Sequence, residues 1–220
     1  MLEARDLYKT YKSGAKPLHV LKGINLSLER GKTTAIVGPS GAGKSTLMHL
    51  LGGLDRPTKG KVFLDGEDLY SLKDSKRAEI RNRRIGFVFQ FYHLLPEFTV
   101  LENVAFPAFV GGIKRRIAIN SARALVNAVG LSNRAGHRPG ELSGGEMQRA
   151  AIARALINDP EVILCDEPTG NLDSRTGQSV IDLLLDLNKK KNKTIVIVTH
   201  EEKIASVAHR KCHIQDGQLV

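Results

Sequence analysis

The sequence predicts an α/β fold: a mostly parallel sheet covered by helices on both faces, with an antiparallel β part at the N-terminus and an inserted helical stretch. Three observations predict it. Apolar runs of strand length recur at 34–37, 85–89, 162–165 and 195–198, and helical patterns separate them. The first 30 residues instead carry short apolar patches, Leu18 and Val20, then Ile24, Leu26 and Leu28, which read as antiparallel strands. Residues 91–155 lack a strand pattern and read as several helices, notably 116–129 and 146–157. The length of 220 residues suits a single domain. Its expected division is a core of 1–90 and 156–220 and a helical subdomain of 91–155.

Taken in order, the run Thr34-Ala35-Ile36-Val37 is a buried strand that feeds Gly38-Pro39-Ser40-Gly41-Ala42-Gly43, and a helix should begin near Lys44 and stop at Gly52-Gly53. Seven of the eleven aromatic residues fall between Phe87 and Phe109, and most are expected to pack the helical part. Phe91 and Tyr92, just past a strand end, are alternatively candidates for an exposed docking surface. The row Val180, Ile181, Leu184 and Leu187 is helical, and the cations Lys189 to Lys193 that follow complement the negative end of that helix.

Composition removes several classes. The chain is 41% apolar and 25% charged, which argues against disorder and repeat architectures. The longest charge-free stretch, Ile85 to Pro96, is twelve residues and ends in proline, too short for the roughly 20 apolar residues of a membrane-spanning helix. The opening residues Met1 to Asp6 show no basic stretch leading into an apolar one, so no secretion signal is expected. Cys165 and Cys212 are far apart and in no metal-ligand spacing, which suits a reduced, cytosolic setting. Thirty-three Lys and Arg against 23 Asp and Glu leave a net charge of +10, compatible with an anionic membrane face or phosphorylated ligands, while no direct nucleic-acid role is expected.

Three segments carry chemistry. Gly38 to Ser45 matches G-x-x-x-x-G-K-[ST] between a strand and a helix, where backbone N–H groups turn inward around phosphate oxygens and the helix dipole adds positive charge. Lys44 should reach the β- and γ-phosphates and Ser45 should ligate Mg²⁺, so this is a P-loop for a nucleoside triphosphate. Asp166 and Glu167 end the strand 162–165. Ligands bind at the carboxyl edge of open sheets, so Asp166 is the expected Mg²⁺ partner and Glu167 the group facing the attacking water. Leu142-Ser143-Gly144-Gly145-Glu146 opens a second helix, with Ser143 a natural N-cap and Glu146 in the first turn. Its backbone donors form another phosphate cradle, serving either a second nucleotide or a site shared between subunits.

The order of these motifs resembles the ATP-binding subunit of an ATP-binding-cassette transporter over essentially the full length: Walker A at 38–46, Gln90 after a strand, the signature 142–146, Walker B at 162–167 and His200 after 195–199. The resemblance implies a P-loop NTPase core and an ATP-hydrolysing enzyme using ATP and Mg²⁺. Gly38, Pro39, Ser40, Gly41, Ala42, Gly43, Lys44, Ser45 and Thr46 would bind ATP, and Ser45, Asp166 and Gln90 would hold the metal. Catalysis would fall to Glu167, Gln90 and His200, the last toward the γ-phosphate. Tyr11 would stack on adenine, with Tyr8 as its rival. Ser143, Gly144, Gly145 and Glu146 would act in trans on the nucleotide of a second copy, and Asp173 of the loop Gly170-Asn171-Leu172-Asp173 would lie near that copy. This loop departs from the commoner Ser-Ala-Leu-Asp, and Met147 from a polar residue; both read as subfamily marks.

Within the family, 89–104 and Ala135-Gly136-His137-Arg138-Pro139 are most similar to the ATPases of lipoprotein-releasing systems. That implies integral membrane partners and a peripheral place on the cytoplasmic side of the inner membrane. Macrolide or peptide efflux and cell-division ATPases share much of the pattern. A soluble cassette ATPase fits less well, because 38–143 leaves no room for a coiled-coil insert and the chain holds one cassette. A non-hydrolysing scaffold fits poorly with the full set of Lys44, Gln90, Asp166, Glu167 and His200.

Overall fold

A computed structural model describes residues 1–13 and 16–220. The chain begins with two long antiparallel strands, β1 (Leu2–Ser13) and β2 (Lys16–Leu28), followed by β3 (Thr33–Val37) and α1 (Lys44–Leu51). Next come β4 (Lys59–Leu64), β5 (Glu67–Asp68), α2 (Asp74–Arg84) and β6 (Ile85–Phe89). Three helices follow, α3 (Val100–Val110), α4 (Arg115–Ala128) and α5 (Gly144–Leu156). The chain closes with β7 (Val162–Asp166), α6 (Ser174–Lys191), β8 (Thr194–Thr199), α7 (Glu202–Ala205), β9 (Arg210–Gln215) and β10 (Gln218–Leu219).

Two sheets result. One is antiparallel, in the order β2-β1-β4-β5; the other runs β10-β9-β3-β8-β7-β6, parallel except for the β10 edge. Side chains of β7 and β8 alternate between the two faces, as the period-2 pleat requires. Val162, Leu164, Val196 and Val198 join α1 and the antiparallel sheet in one core. Ile163, Cys165, Ile195 and Ile197 meet α5 and α6 in a second. The helices α3, α4 and α5 enclose a third around Val104, Val126 and Ala150. Between the ends of β6 and β7 the described residues form helices and turns only.

Strands β4 and β9 escape the apolar-run criterion because each buries only two side chains, the rest facing water. The aromatic residues distribute differently from expectation. Phe87 and Phe89 stack at 5.7 Å and pack on the sheet core, Phe109 alone joins the helical core, and Phe91 is 69% exposed. A strand's pleat, rather than proximity in sequence, decides which side each ring faces. The helix α6 ends in Lys189, Lys190 and Lys191 as its dipole favours.

At the end of the sheet away from the phosphate loop, Arg30 and Arg84 alternate with Asp65 and Glu161 in a closed ring. Arg30 bonds Asp65 at 2.8 Å and Glu161 at 3.1 Å, and Arg84 bonds Glu161 at 2.5 Å and also Asp65. The ring ties the turns of both sheets to the end of α2. Burial would raise the Asp65 carboxyl, but Arg30 and Arg84 outweigh it and hold it below the ordinary range. A lowered carboxyl stabilises the fold above its unfolded pKa of about 3.9 and ceases to as acid takes the pH through the folded value. Arg84→Met should therefore cost about 1 kcal/mol at neutral pH, less in high salt and in acid, read as the thermal midpoint against salt and pH.

Candidate functional site

In-register pairing of four parallel strands brings the site together. Val37 pairs with Thr199, Val198 with Asp166, and Asp166 with Phe89. The residues that follow each strand, Gly38, His200, Glu167 and Gln90, therefore leave the sheet along one edge. Gln90 and Glu167, with Val20, Ser40, Gly41, Gly43, Lys44, Ser45, Thr46 and Asp166, line a cavity of about 320 Å³, whereas Gly38 and His200 are not part of its lining.

The phosphate loop is shaped by two glycines for different reasons. At Gly38 a Cβ would lie 2.1 Å from the Ile214 carbonyl oxygen, so nothing larger fits between β3 and β9. Gly43 caps α1 at φ 101°, a left-handed conformation open mainly to glycine. No acidic side chain occupies the first turn of α1, which leaves its positive end to a ligand anion. Lys44 is buried and folds over its own loop, its Nζ donating to the Gly38 and Pro39 carbonyls at 2.8 and 3.0 Å. Pro39 and Ala42 hold the bend, the Ala42 N–H donating to the Pro39 carbonyl at 3.2 Å.

Opposite Lys44, the Ser45 hydroxyl donates to Asp166 Oδ1 at 3.0 Å. Burial pushes the Asp166 carboxyl above its ordinary range, and neighbouring Glu167 adds to this against the pull of Ser45, His49 and Lys44. Glu167 stands at φ 44°, held by its N–H bond to the Val198 carbonyl at 2.9 Å. His200 Nδ1 lies 2.7 Å from Glu167 Oε2, a pair that is ionic when the ring is protonated.

Gln90 is paired with a residue that sequence reasoning treated as a subfamily mark. Its Nε2 donates to Asn171 Oδ1 at 3.3 Å, and Asn171 Nδ2 donates back to the Gln90 carbonyl at 3.0 Å. The departure from the commoner loop sequence was the available signal; its meaning needed the fold. Gly170 makes room, since a Cβ there would come within 2.7 Å of Gln90 Nε2.

Other expected site residues lie outside this cavity. Tyr11 donates to Asp55 Oδ2 at 2.8 Å, carries Lys9 over its ring at 4.6 Å and has Thr46 beside it. Tyr8 is covered by Lys59 at 4.9 Å. Asp173 caps α6, accepting from the Arg175 and Thr176 N–H groups at 3.0 Å each. Ser143 and Glu146 form the reciprocal cap of α5, with Ser143 N–H donating to Glu146 Oε2 at 2.8 Å. Arg134 bonds the other oxygen at 2.9 Å, and with Ser143 it pulls the Glu146 carboxyl down to about 2. Glu146 is thus committed to its own loop. Ser143, Gly144 and Gly145 do not line the cavity that holds Lys44 of the same copy.

The donor set suits Mg²⁺: a hydroxyl and a carboxylate 3.0 Å apart are hard oxygen ligands. Among the described residues no cluster of three or more His, Cys, Asp or Glu side chains forms an all-protein metal cage. Octahedral Mg²⁺ is ordinarily completed by water and substrate phosphates, so the two agree.

Comparison with known proteins agrees with this geometry. The chain is 54% identical, over its whole length and 98% of the relative, to the lipoprotein-releasing system ATP-binding protein LolD of Geobacter metallireducens. It is 51% identical to LolD of Pseudomonas fluorescens, covering 97% of that protein. Among solved structures, the dimeric post-hydrolysis state of the ATP-binding cassette MJ0796 bound to ADP and Pi superposes with a TM-score of 0.93 at 40% identity, covering 100% of this chain and 96% of that one. The ABC transporter family profile matches residues 21–170, and the chain belongs to that family as one of its ATP-hydrolysing members.

Proposed function

We propose that this chain hydrolyses ATP to power the release of lipoproteins from the inner membrane, working as a pair of copies beneath integral membrane subunits. The observation that carries the chemistry is the convergence of Lys44, Ser45, Gln90, Asp166 and Glu167 on one cavity, with His200 Nδ1 2.7 Å from Glu167. The cargo rests on full-length similarity to LolD proteins.

In this reading, the phosphate-loop N–H groups and Lys44 hold the triphosphate, and Lys44 exchanges its carbonyl partners for phosphate oxygens. Ser45 and Asp166, with Gln90 nearby, would hold Mg²⁺, which would neutralise charge on the β- and γ-oxygens when bound. Glu167, fixed by His200 and by its strained backbone, orients and polarises the attacking water. His200 Nε2 faces the γ-phosphate. Tyr11, beside Thr46, stacks on adenine. Ser143, Gly144 and Gly145 serve the nucleotide of a second copy, because they stand away from the cavity of their own chain, and Asp173 caps its helix near that copy.

The chain acts as one ATP-binding domain in which the helical part, 91–155, moves against the core through Gln90. A groove of about 430 Å³ between the two, lined by Leu54, Phe87, Phe89, His93, Pro107 and Val110, takes the membrane subunit. No helix among the described residues is long and apolar enough to cross a membrane, and the net charge of +10 favours a peripheral place at an anionic, cytoplasmic membrane face.

Glu167→Gln should retain ATP binding and lower turnover by about 10²–10⁴-fold, the usual loss for a positioned base, while ATP-bound dimers accumulate in light scattering. Parental turnover in this variant would remove Glu167 from the role. Mixing Ser143→Arg chains with Lys44→Ala chains, each inactive alone, should restore one working site per mixed dimer in a steady-state ATPase assay. No recovery across all mixing ratios would count against shared sites.

A further inference from the structure

From the contacts of α5 we infer that this helix couples the shared nucleotide site to the chain's own catalytic loops, with Gln148 and Arg154 as the positioning residues. The inference rests on the two-copy reading above. Gln148 is fully buried, and its Nε2 donates to the Pro168 carbonyl at 2.7 Å, one residue beyond Glu167. Its Oε1 finds no partner among the described residues. A buried amide that makes a single bond is costlier than an apolar side chain of the same size, so packing alone does not account for it.

Arg154 tells the same story at the other end of the helix. It is half-buried, pairs with no carboxylate among the described residues, and donates to the Tyr92 carbonyl at 2.6 Å and to the His93 carbonyl. Burial lowers its guanidinium to about 10. The two carbonyls belong to consecutive residues at φ 59° and 49°, a strained arrangement that persists only where its surroundings impose it. These residues directly follow Gln90 and Phe91. At the N-terminus of α5, a Cβ on Gly144 would lie 3.0 Å from Tyr92 Oη, and one on Gly145 would lie 2.3 Å from Thr176 on α6.

One rigid helix thus touches the Gln90 turn at both ends, Pro168 beside Glu167 midway, and the helix after Asp173. Its first turn is also the segment assigned to the partner's nucleotide. A shift of α5 on meeting that nucleotide carries Pro168 and Tyr92-His93 with it, and so repositions Glu167 and Gln90 in its own site. An ATP bound at one site then alters turnover at the other.

The test uses full-length chains in mixed dimers, where Glu167→Gln silences one site at a time. In the first arrangement, Gln148→Met chains pair with Glu167→Gln chains, so the working site depends on the catalytic loops of the Gln148→Met chain. In the second, chains carrying both substitutions pair with parental chains, so the working site uses only the signature loop of the altered chain. We expect kcat about 10-fold lower in the first arrangement, with KM for ATP within twofold of control, and less than twofold loss in the second. Equal loss in both, loss confined to the second, or no loss in either overturns the inference. Arg154→Met should repeat the pattern and Arg154→Lys should restore part of kcat through one carbonyl; this pair also decides the matter should Gln148→Met fail to fold. Parental chains mixed with Glu167→Gln chains give the reference rate, and the Ser143→Arg with Lys44→Ala mixtures test the two-copy reading separately, since only their failure to recover activity strikes the shared site itself.

Discussion

Strand β8 lies between the strand that feeds the phosphate loop and the strand that ends in Asp166, and everything at the site depends on the register of that pairing. A parallel pair cannot slip by one residue without turning every side chain to the opposite face. Here both faces are buried, one against α1 and the antiparallel sheet, the other against α5 and α6. The register is therefore enforced twice, and with it the common edge from which Gly38, Gln90, Glu167 and His200 emerge. Residues drawn from four separate segments become neighbours because their strands end level.

Around that edge, polar groups are kept with weak or makeshift partners. Lys44 satisfies its ammonium with two carbonyls of its own loop, and Asp166 meets a hydroxyl rather than a cation. Glu167 is held in a backbone conformation that non-glycine residues seldom adopt. Each arrangement is poor as folding chemistry and suited to a polyanion arriving with a divalent cation. The well-paired charges lie elsewhere, in the Arg30–Asp65–Arg84–Glu161 ring at the far end of the sheet, where they join the two sheets and leave the site free to rearrange. Local inconsistency at the site and consistency away from it are what a folded catalyst requires.

The two loops that open helices divide the work. At α1 the cap is a glycine with no side-chain bond, so the helix end is open; at α5 the cap is a complete Ser143–Glu146 box locked by Arg134. The second helix is held rigidly as a body, with Ser143 exposed at its start and Gly145 buried against Thr176 of α6. Such a helix suits presentation to a partner copy, whereas the first suits a ligand within its own chain.

Much of this was legible before any coordinates. The strand–loop–helix at 34–46, the strand ending in Asp166-Glu167, and the capped helix after Ser143 are all local patterns, set by φ freedom, side-chain period and capping chemistry within a few residues. The family follows from their order. Only the tertiary structure decided that Asn171 clasps Gln90, that Glu146 is occupied by Arg134, that Phe87 and Phe89 join the sheet core, and that Gln148 and Arg154 reach the catalytic loops. Those contacts join residues 12 to 81 positions apart, or depend on which face of a sheet a ring takes. Nearest-neighbour chemistry records the shape of each segment; which segments meet is set by the packing of whole elements, which no short stretch of sequence contains.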